Sequence, residues 1–385
     1  MVTRRQFLQC AAAYSCLPAR ELSSASLAES IQRRLPPNLP AGIAVLIANS
    51  LNRDPTSINT DWFGSLLMQG LLQWNRRGIS EVRPFAMAWL DHHWQSKTVS
   101  QYSGPASRVF HAGNIPITTY AGHYGLSFPC YEMAIQFQEP RARKACLEIA
   151  RIILHRSSRN RLGLVNHDDN ADFAIPDTCY FVVAPLMIAS NFDREKGRVY
   201  QEQALYQLRT YIDTFLVKET GLVRTILLKD GLGKTCWTRA SGWLLWAIIS
   251  VLRHLPPDAP EKTGFIQDLK YIASGLQRIQ DSSGGFHVLL DEPSTPLETT
   301  GTVMVATSLH ESIQKGWLPD SLNGMVSRAW QFAKNRITND GRILQAYTGW
   351  AVPAENRIMS MDEHTMEWIP GFILDAADRL SCWTT

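Results

Sequence analysis

From residue 61 to residue 380, apolar residues recur at helical spacing in block after block, and that periodicity leaves few folds open. In the first block Trp62, Leu66, Leu67, Gly70, Leu71 and Trp74 share one face, and Asp61 precedes them as a natural N-cap. The pattern predicts further helices over 82–94, 126–137, 141–155, 177–190, 202–217, 241–255, 265–279, 300–316, 322–337 and 367–380. Short Gly/Pro/Asn/Asp-rich connections separate them, as at 157–161, 256–260 and 281–285. Alternating strand patterns are confined to two short candidates, 45–47 and 343–346. Roughly 30 residues per helix and loop makes about twelve units along the chain. Helical hairpins in that number can close into a double ring, although no strict sequence repeat is visible. The expected fold class is therefore all-α, with one barrel over 61–385 preceded by a polar, Pro-rich linker and helix entry over 26–60.

The N-terminus reads as an address. Thr3-Arg4-Arg5-Gln6-Phe7-Leu8 is a twin-arginine pattern followed by an apolar stretch, so residues 1–25 are expected to direct export of the folded protein to the periplasm or beyond. The apolar stretch is far below the ~20 residues of a stable membrane anchor. A formal charge of +3 without a dense basic stripe gives no reason to expect nucleic acid. Seven cysteines, none in a Cys-x-x-Cys pair, favour buried thiols over a zinc ribbon. The chain contains no Walker-type phosphate loop and no Gly-x-Ser-x-Gly elbow.

Loops on a rigid helical scaffold are where binding groups usually sit. Three segments stand out. Ile175-Pro176-Asp177-Thr178-Cys179-Tyr180-Phe181 starts a helix with one carboxylate after an apolar approach. Asp after Pro at a helix start is a good N-cap, and flanking apolar residues would raise its pKa toward the range of a general acid. Cys236-Trp237-Thr238-Arg239-Ala240-Ser241-Gly242-Trp243 places a guanidinium between two indoles. A planar guanidinium can grip a carboxylate or sugar hydroxyls, although a cation at a helix start opposes the dipole. The third segment runs from Gly284-Gly285-Phe286-His287-Val288-Leu289-Leu290-Asp291 through Leu297-Glu298-Thr299-Thr300-Gly301-Thr302. Here Glu298 is expected to brace a helix start, and His287 to face the barrel mouth.

Together these segments resemble the unsaturated glucuronyl and rhamnogalacturonyl hydrolases of glycoside hydrolase families 88 and 105. The resemblance implies a six-hairpin (α/α)6 barrel that hydrates the C4=C5 double bond of a terminal unsaturated uronic acid on lyase-made oligosaccharides. It makes Asp177 the catalytic proton donor and water activator, with no metal or other cofactor. Trp237, Arg239 and Trp243 would contact the acidic oligosaccharide, joined by His123 and Tyr124 from Ala121-Gly122-His123-Tyr124-Gly125-Leu126 and by His287. Two departures stand against the family pattern. Related enzymes carry a second Asp near the position of His123, and often a His where Arg224 and Thr225 stand. Other readings therefore stay open: direct cleavage with a second carboxylate such as Asp61, Asp168 or Asp169, epimerisation by paired His, or a barrel that binds sugar without turnover. The acidic run 167–172 reads as a solvated loop, since it lacks the Gly and terminal Glu of a calcium hand.

The leader makes a direct prediction. A reporter fused behind residues 1–25 reaches the periplasm, and Arg4→Lys with Arg5→Lys holds it in the cytoplasm; unchanged export by fractionation refutes the twin-arginine reading.

Overall fold

The computed structural model describes residues 23–99, 108–171, 173–347 and 368–381. Residues 1–22, most of the segment expected to direct export, lie outside the described residues, as do Asp172 and Cys382. Thirteen α-helices are described: α1 (Ser24–Gln32), α2 (Ala41–Leu51), α3 (Trp62–Arg76), α4 (Val82–Gln95), α5 (Ser127–Gln136), α6 (Pro140–His155), α7 (Pro176–Phe192), α8 (Gly197–Phe215), α9 (Thr238–His254), α10 (Pro260–Ile279), α11 (Thr299–Gln314), α12 (Asn323–Lys334) and α13 (Trp368–Leu380).

Helices α3, α5, α7, α9, α11 and α13 pack each against the next, and α13 returns to α3. They form a closed inner ring. Each pairs with an outer helix: α4, α6, α8, α10 and α12 in chain order, and α2 against α13. The expected (α/α)6 double ring is therefore the fold. The sequence marks the two layers through burial. Helix α7 is buried almost all round, whereas the outer α6 and α8 alternate buried and exposed faces.

Ring closure is the tightest contact. Gly70 of α3 and Gly371 of α13 meet backbone to backbone: a Cβ on Gly371 would lie 2.5 Å from the Leu66 carbonyl oxygen, and one on Gly70 would lie 2.7 Å from the Gly371 oxygen. Trp74 Nε1 donates to the Leu374 carbonyl at 3.1 Å across the same seam. Aromatic rings then fill the axis. Trp243 packs on Phe181, Tyr180 and Phe372 with ring centres 5.2–5.5 Å apart, and Trp62 packs on Trp368 at 5.5 Å.

Two expectations are corrected. Residues 26–60, expected as a linker and entry to the first helix, hold most of α1 and all of α2, and α2 completes the outer ring. The strand candidate 45–47 lies inside α2, because a run buried nearly all round has no readable period. Candidate 343–346 makes only an isolated bridge, Ile337 with Ile343. Four two-stranded hairpins were missed, including Val109–Ala112 with Ile115–Thr118 and Phe286–His287 with Leu297–Glu298. The buried Cys130, Cys146, Cys179 and Cys236 are free thiols. Among the described residues no helix is long and apolar enough to cross a membrane.

The seam yields a prediction. Gly371→Ala forces α13 off α3 and lowers unfolding free energy by about 1–3 kcal/mol in urea titrations; an unchanged midpoint contradicts the close approach.

Candidate active site

Inner helices all run the same way through the ring, so their N-termini share one mouth. Backbone N–H groups left unpaired there favour negative charge. Two carboxylates use this. Asp177 stands in the first turn of α7, behind Ile175 and Pro176. Glu298 is the N-cap of α11: its Oε2 accepts from Thr300 N at 2.7 Å and Thr300 Oγ1 at 2.6 Å, and its Oε1 accepts from Gly301 N. The expected bracing role of Glu298 is what the structure shows.

Arg239 lies in the first turn of α9, which begins at Thr238 and not at Ser241. It is 4% exposed, so it is no surface cation. Its guanidinium lies 4.1 Å from the Trp237 ring centre and 4.8 Å from that of Trp368, and it donates to the Tyr347 carbonyl. Burial lowers its pKa, while Glu298 and Asp177 pull the other way. The unfavourable dipole at the α9 start is offset by these two carboxylates and by the ring faces.

Asp177 is half-buried, but its Oδ1 is shut from solvent without a hydrogen-bond partner. Burial raises its pKa to about 6, against the pull of Arg239 and of the nearby Trp243 indole N–H. A buried polar atom without a partner costs stability, and such costs gather at functional sites. A carboxyl near pH 6 can both give and take a proton near neutrality.

The other expected site residues divide. Trp237 backs Arg239, with its own face 3% exposed. Trp243 is not a sugar platform: it is fully buried in the axial aromatic cluster and holds its indole N–H near Asp177. His123 is buried, with Nδ1 bonded to Thr118 N at 3.1 Å and paired with Thr118 Oγ1 at 2.8 Å. Accepting at Nδ1 leaves the proton on Nε2, which is buried without a partner. Burial lowers its pKa to about 4. Tyr124 is turned to structural work, its hydroxyl donating to the Thr119 carbonyl and paired with Ser157 Oγ at 2.6 Å. His287 binds the Thr295 carbonyl within its own hairpin. The Phe286–Leu297 hairpin fixes the start of α9, since Thr238 N donates to the Val288 carbonyl.

Several members of the site were not singled out from the sequence. His167, assigned to a solvated loop, is half-buried and pairs through Nδ1 with Thr178 Oγ1 at 2.8 Å, beside Asp177. Tyr120 stands between His167 and His123, with ring centres at 5.1 and 5.6 Å. Trp62, Tyr347 and Trp368 complete the wall, drawn from elements far apart in the chain.

Candidate second carboxylates are engaged elsewhere. Asp169 pairs with Arg108 at 3.0 Å and accepts from Thr119 Oγ1, which helps to hold it at about 2. Asp168 accepts from Asn170 N, and Asp61 caps α3 through Phe63 N. Among the described residues, no group of His, Cys, Asp and Glu could hold a metal ion.

The model of glycosyl hydrolase family 88 matches residues 51–376. The unsaturated rhamnogalacturonyl hydrolase YesR of Bacillus subtilis (strain 168) is 26% identical over 216 residues, 53% of this chain and 60% of that protein. The unsaturated 3S-rhamnoglycuronyl hydrolase of Alteromonas sp. (strain LOR) is 31% identical over 111 residues, 28% of this chain and 27% of that protein. Each of these matches thus covers less than two thirds of the relative's length. In fold, a possible family 105 member from Salmonella enterica superposes with TM-score 0.74 at 17% identity, over 95% of this chain and 96% of that one. The unsaturated glucuronyl hydrolase of Bacillus sp. GL1 superposes with TM-score 0.64 at 16% identity, over 84% and 87%. The chain belongs to glycosyl hydrolase family 88.

Titration of Asp177 sets a stability prediction. Its folded pKa lies above the usual carboxylate value, so folding favours the protonated form. The resulting penalty is absent below pH ~4, grows as pH rises through about 6, and is complete above it. After solvent screening the penalty is about 2 kcal/mol. Asp177→Asn is therefore more stable than wild type by about that amount at pH 8 and no more stable at pH 4, by urea unfolding.

Proposed function

We propose that this member of glycosyl hydrolase family 88 releases a terminal unsaturated uronic acid from lyase-generated oligosaccharides by adding water to the C4=C5 double bond. The observation that carries the proposal is Asp177: one carboxyl, partly desolvated, raised to about 6, with a shielded oxygen and a cation beside it. The names of both curated relatives describe unsaturated glycuronyl or rhamnogalacturonyl hydrolases, which supports the same substrate class.

The chemistry follows from one carboxyl used twice. Protonated Asp177 gives its proton to C4, and positive charge develops at C5 with support from the ring oxygen. The Asp177 carboxylate then takes a proton from water as the water oxygen bonds to C5. A hemiketal results, and Asp177 is protonated again. The hemiketal opens by breaking the bond from C5 to the ring oxygen. This gives a C5 ketone and a C1 hemiacetal, which expels the leaving sugar as an alcohol and becomes an aldehyde. Each proton taken is returned, and no redox partner enters. Arg239 supplies positive charge beside Asp177 to meet the uronate carboxylate. His123 supplies a neutral N–H, and its low pKa keeps it neutral at working pH.

Direct glycosidic cleavage needs two available carboxyls. The engagement of Asp61, Asp168, Asp169 and Glu298 favours the single-carboxyl reaction. Epimerisation by paired His bases is disfavoured because His123 and His167 are both held at about 4 by burial. Export under the twin-arginine leader is part of the same proposal: it brings the enzyme to where lyases act on polysaccharide.

Turnover is read as loss of double-bond absorbance from an unsaturated uronyl disaccharide. Asp177→Asn loses at least about 10³-fold in kcat with the fold intact. Full activity of that variant refutes the proposal.

A further inference from the structure

The barrel has a second concave end, where the inner helices finish. All six of them contribute to a cavity of about 390 Å³ there, within the ~300–1,000 Å³ range of small-molecule sites. Toward the axis it continues into a recess of about 20 Å³ whose wall includes Trp246, Thr307, Ser308 and Asp375. That is room for one water or one sugar hydroxyl. The wall of the recess is rich in acceptors. The hydroxyls of Ser250, Thr307 and Ser308 donate to the carbonyls of Trp246, Val303 and Met304 at 2.7–2.9 Å, which leaves the lone pairs of their oxygens for another donor. Asp375 is 5% exposed; its Oδ2 pairs with Arg379 Nε at 2.7 Å, and its Oδ1 has no hydrogen-bond partner. Such a buried acceptor costs stability until a donor meets it. In the wider part, Glu311 accepts from Arg253 and, at 2.8 Å, from Arg379, and the three side chains keep 14%, 36% and 25% of their surface open. Trp246 and Gln69 stand on inner helices and line the recess, yet both are only half-buried.

We propose that this C-terminal cavity is a second binding site, distinct from the Asp177 mouth, and that it takes a neutral sugar of monosaccharide size. Charge selects the class. The wall carries four basic side chains, counting Lys315, and four carboxylates, counting Asp375 and Asp378. An anion meets Glu311 and Asp375 as it meets Arg253 and Arg379, and a cation fares no better, so a net charge gains nothing on entry and loses its hydration. A hydroxyl is both donor and acceptor. One O–H entering the recess gives its hydrogen to Asp375 Oδ1 or to a Ser or Thr oxygen, and further hydroxyls in the wider part bridge carboxylate and guanidinium. The C–H face of a pyranose is apolar, and Trp246 with Tyr180, ring centres 5.3 Å apart, gives it an aromatic floor. Beyond that floor Trp243 and Phe372 close the axis, so a ligand here does not reach Asp177. Because the wall draws on every inner helix, an occupant ties the ring together and stabilises the fold. The inference is independent of the reaction assigned to Asp177.

The experiment is calorimetric titration of the protein with D-glucose, D-galactose and D-mannose, with D-glucuronate and D-glucosamine as charged counterparts, and melting temperatures alongside. At least one neutral hexose binds with a Kd of about 1–5 mM, as befits a ligand of this size, and at about 20 mM it raises the melting temperature by about 1–2 °C. Both charged sugars bind at least about tenfold more weakly. Asp375→Asn keeps the shape of the recess and removes its buried carboxylate, and it weakens hexose binding at least about tenfold. Ala184→Leu places a larger side chain on the α7 wall of the wider part, weakens the same binding, and carries the test where Asp375→Asn does not fold. Asp177→Asn leaves it unchanged, which separates this site from the mouth. The inference is overturned by no binding heat from any neutral hexose at about 50 mM, by charged sugars that bind as tightly as neutral ones, by binding that survives the cavity variants, or by binding that is lost in Asp177→Asn. None of these readouts requires turnover, so an inactive wild type counts against the proposed function and leaves the second site separately tested.

Discussion

A cation in the first turn of a helix is electrostatically out of place, and the mouth of this barrel is arranged around one. Arg239 stands at the start of α9, where the helix dipole repels it, and it has almost no contact with water. It is stable there because neighbouring elements answer each cost. Ring faces of Trp237 and Trp368 cover the guanidinium, the Tyr347 carbonyl accepts from it, and Asp177 and Glu298 balance its charge. These partners come from α7, α9, α11, α13 and the segment before residue 348. The ring must close correctly for them to meet, which ties the Gly70 and Gly371 seam to the arrangement at the mouth.

The two ends of the ring use charge differently. At the C-terminal end a cavity of about 390 Å³ is lined by Arg76, Glu132, Arg253, Glu311 and Arg379 among others. Its ions are mutually paired. Arg379 reaches Glu311 at 2.8 Å and Asp375 at 2.7 Å, and Arg76 reaches Glu132 at 2.6 Å. Burial pushes Glu311 up, but Arg253 and Arg379 override it and hold it at about 2. At the N-terminal mouth the balance is the reverse: burial outweighs Arg239, and Asp177 rises to about 6. What distinguishes the N-terminal mouth is a carboxyl left near neutrality beside a cation, and the axial cluster of Trp243, Tyr180 and Phe372 stands between the two ends.

Much of the architecture was legible because the outer helices and several inner ones keep an apolar stripe of period 3.6. Helix α2 was lost because Ala41–Leu51 is apolar nearly all round, so no stripe marked it as helix. Three hairpins were lost because two-residue strands have no period to read, and Val109–Ala112 with Ile115–Thr118 because its second strand is buried along its whole length. At the site, Asp177 and the Trp237–Trp243 segment were visible as local motifs. Their roles were less so. Trp243 looks like a sugar platform in sequence, but ring closure buries it. His167 looks solvated beside two acids, but the fold turns it onto Thr178. Tyr347 and Trp368 carry no local signal, since each matters only through a guanidinium that sits more than 100 residues earlier in the chain.

A single available carboxyl is enough for the proposed reaction once its steps are written out. Cleaving a glycosidic bond directly takes an acid and a base at once on opposite sides of the sugar, so losing either stops turnover. Hydration of an enol ether separates the two demands in time. A single carboxyl can give its proton to carbon and then, as carboxylate, take one from water. The remaining need is a neutral donor near the ring that does not compete for protons. His123, accepting from Thr118 at Nδ1 and kept neutral by burial, fits that requirement better than an ionised Asp, which would repel a uronate substrate. In the proposed reaction His123 therefore polarises the substrate while Asp177 carries the proton transfers.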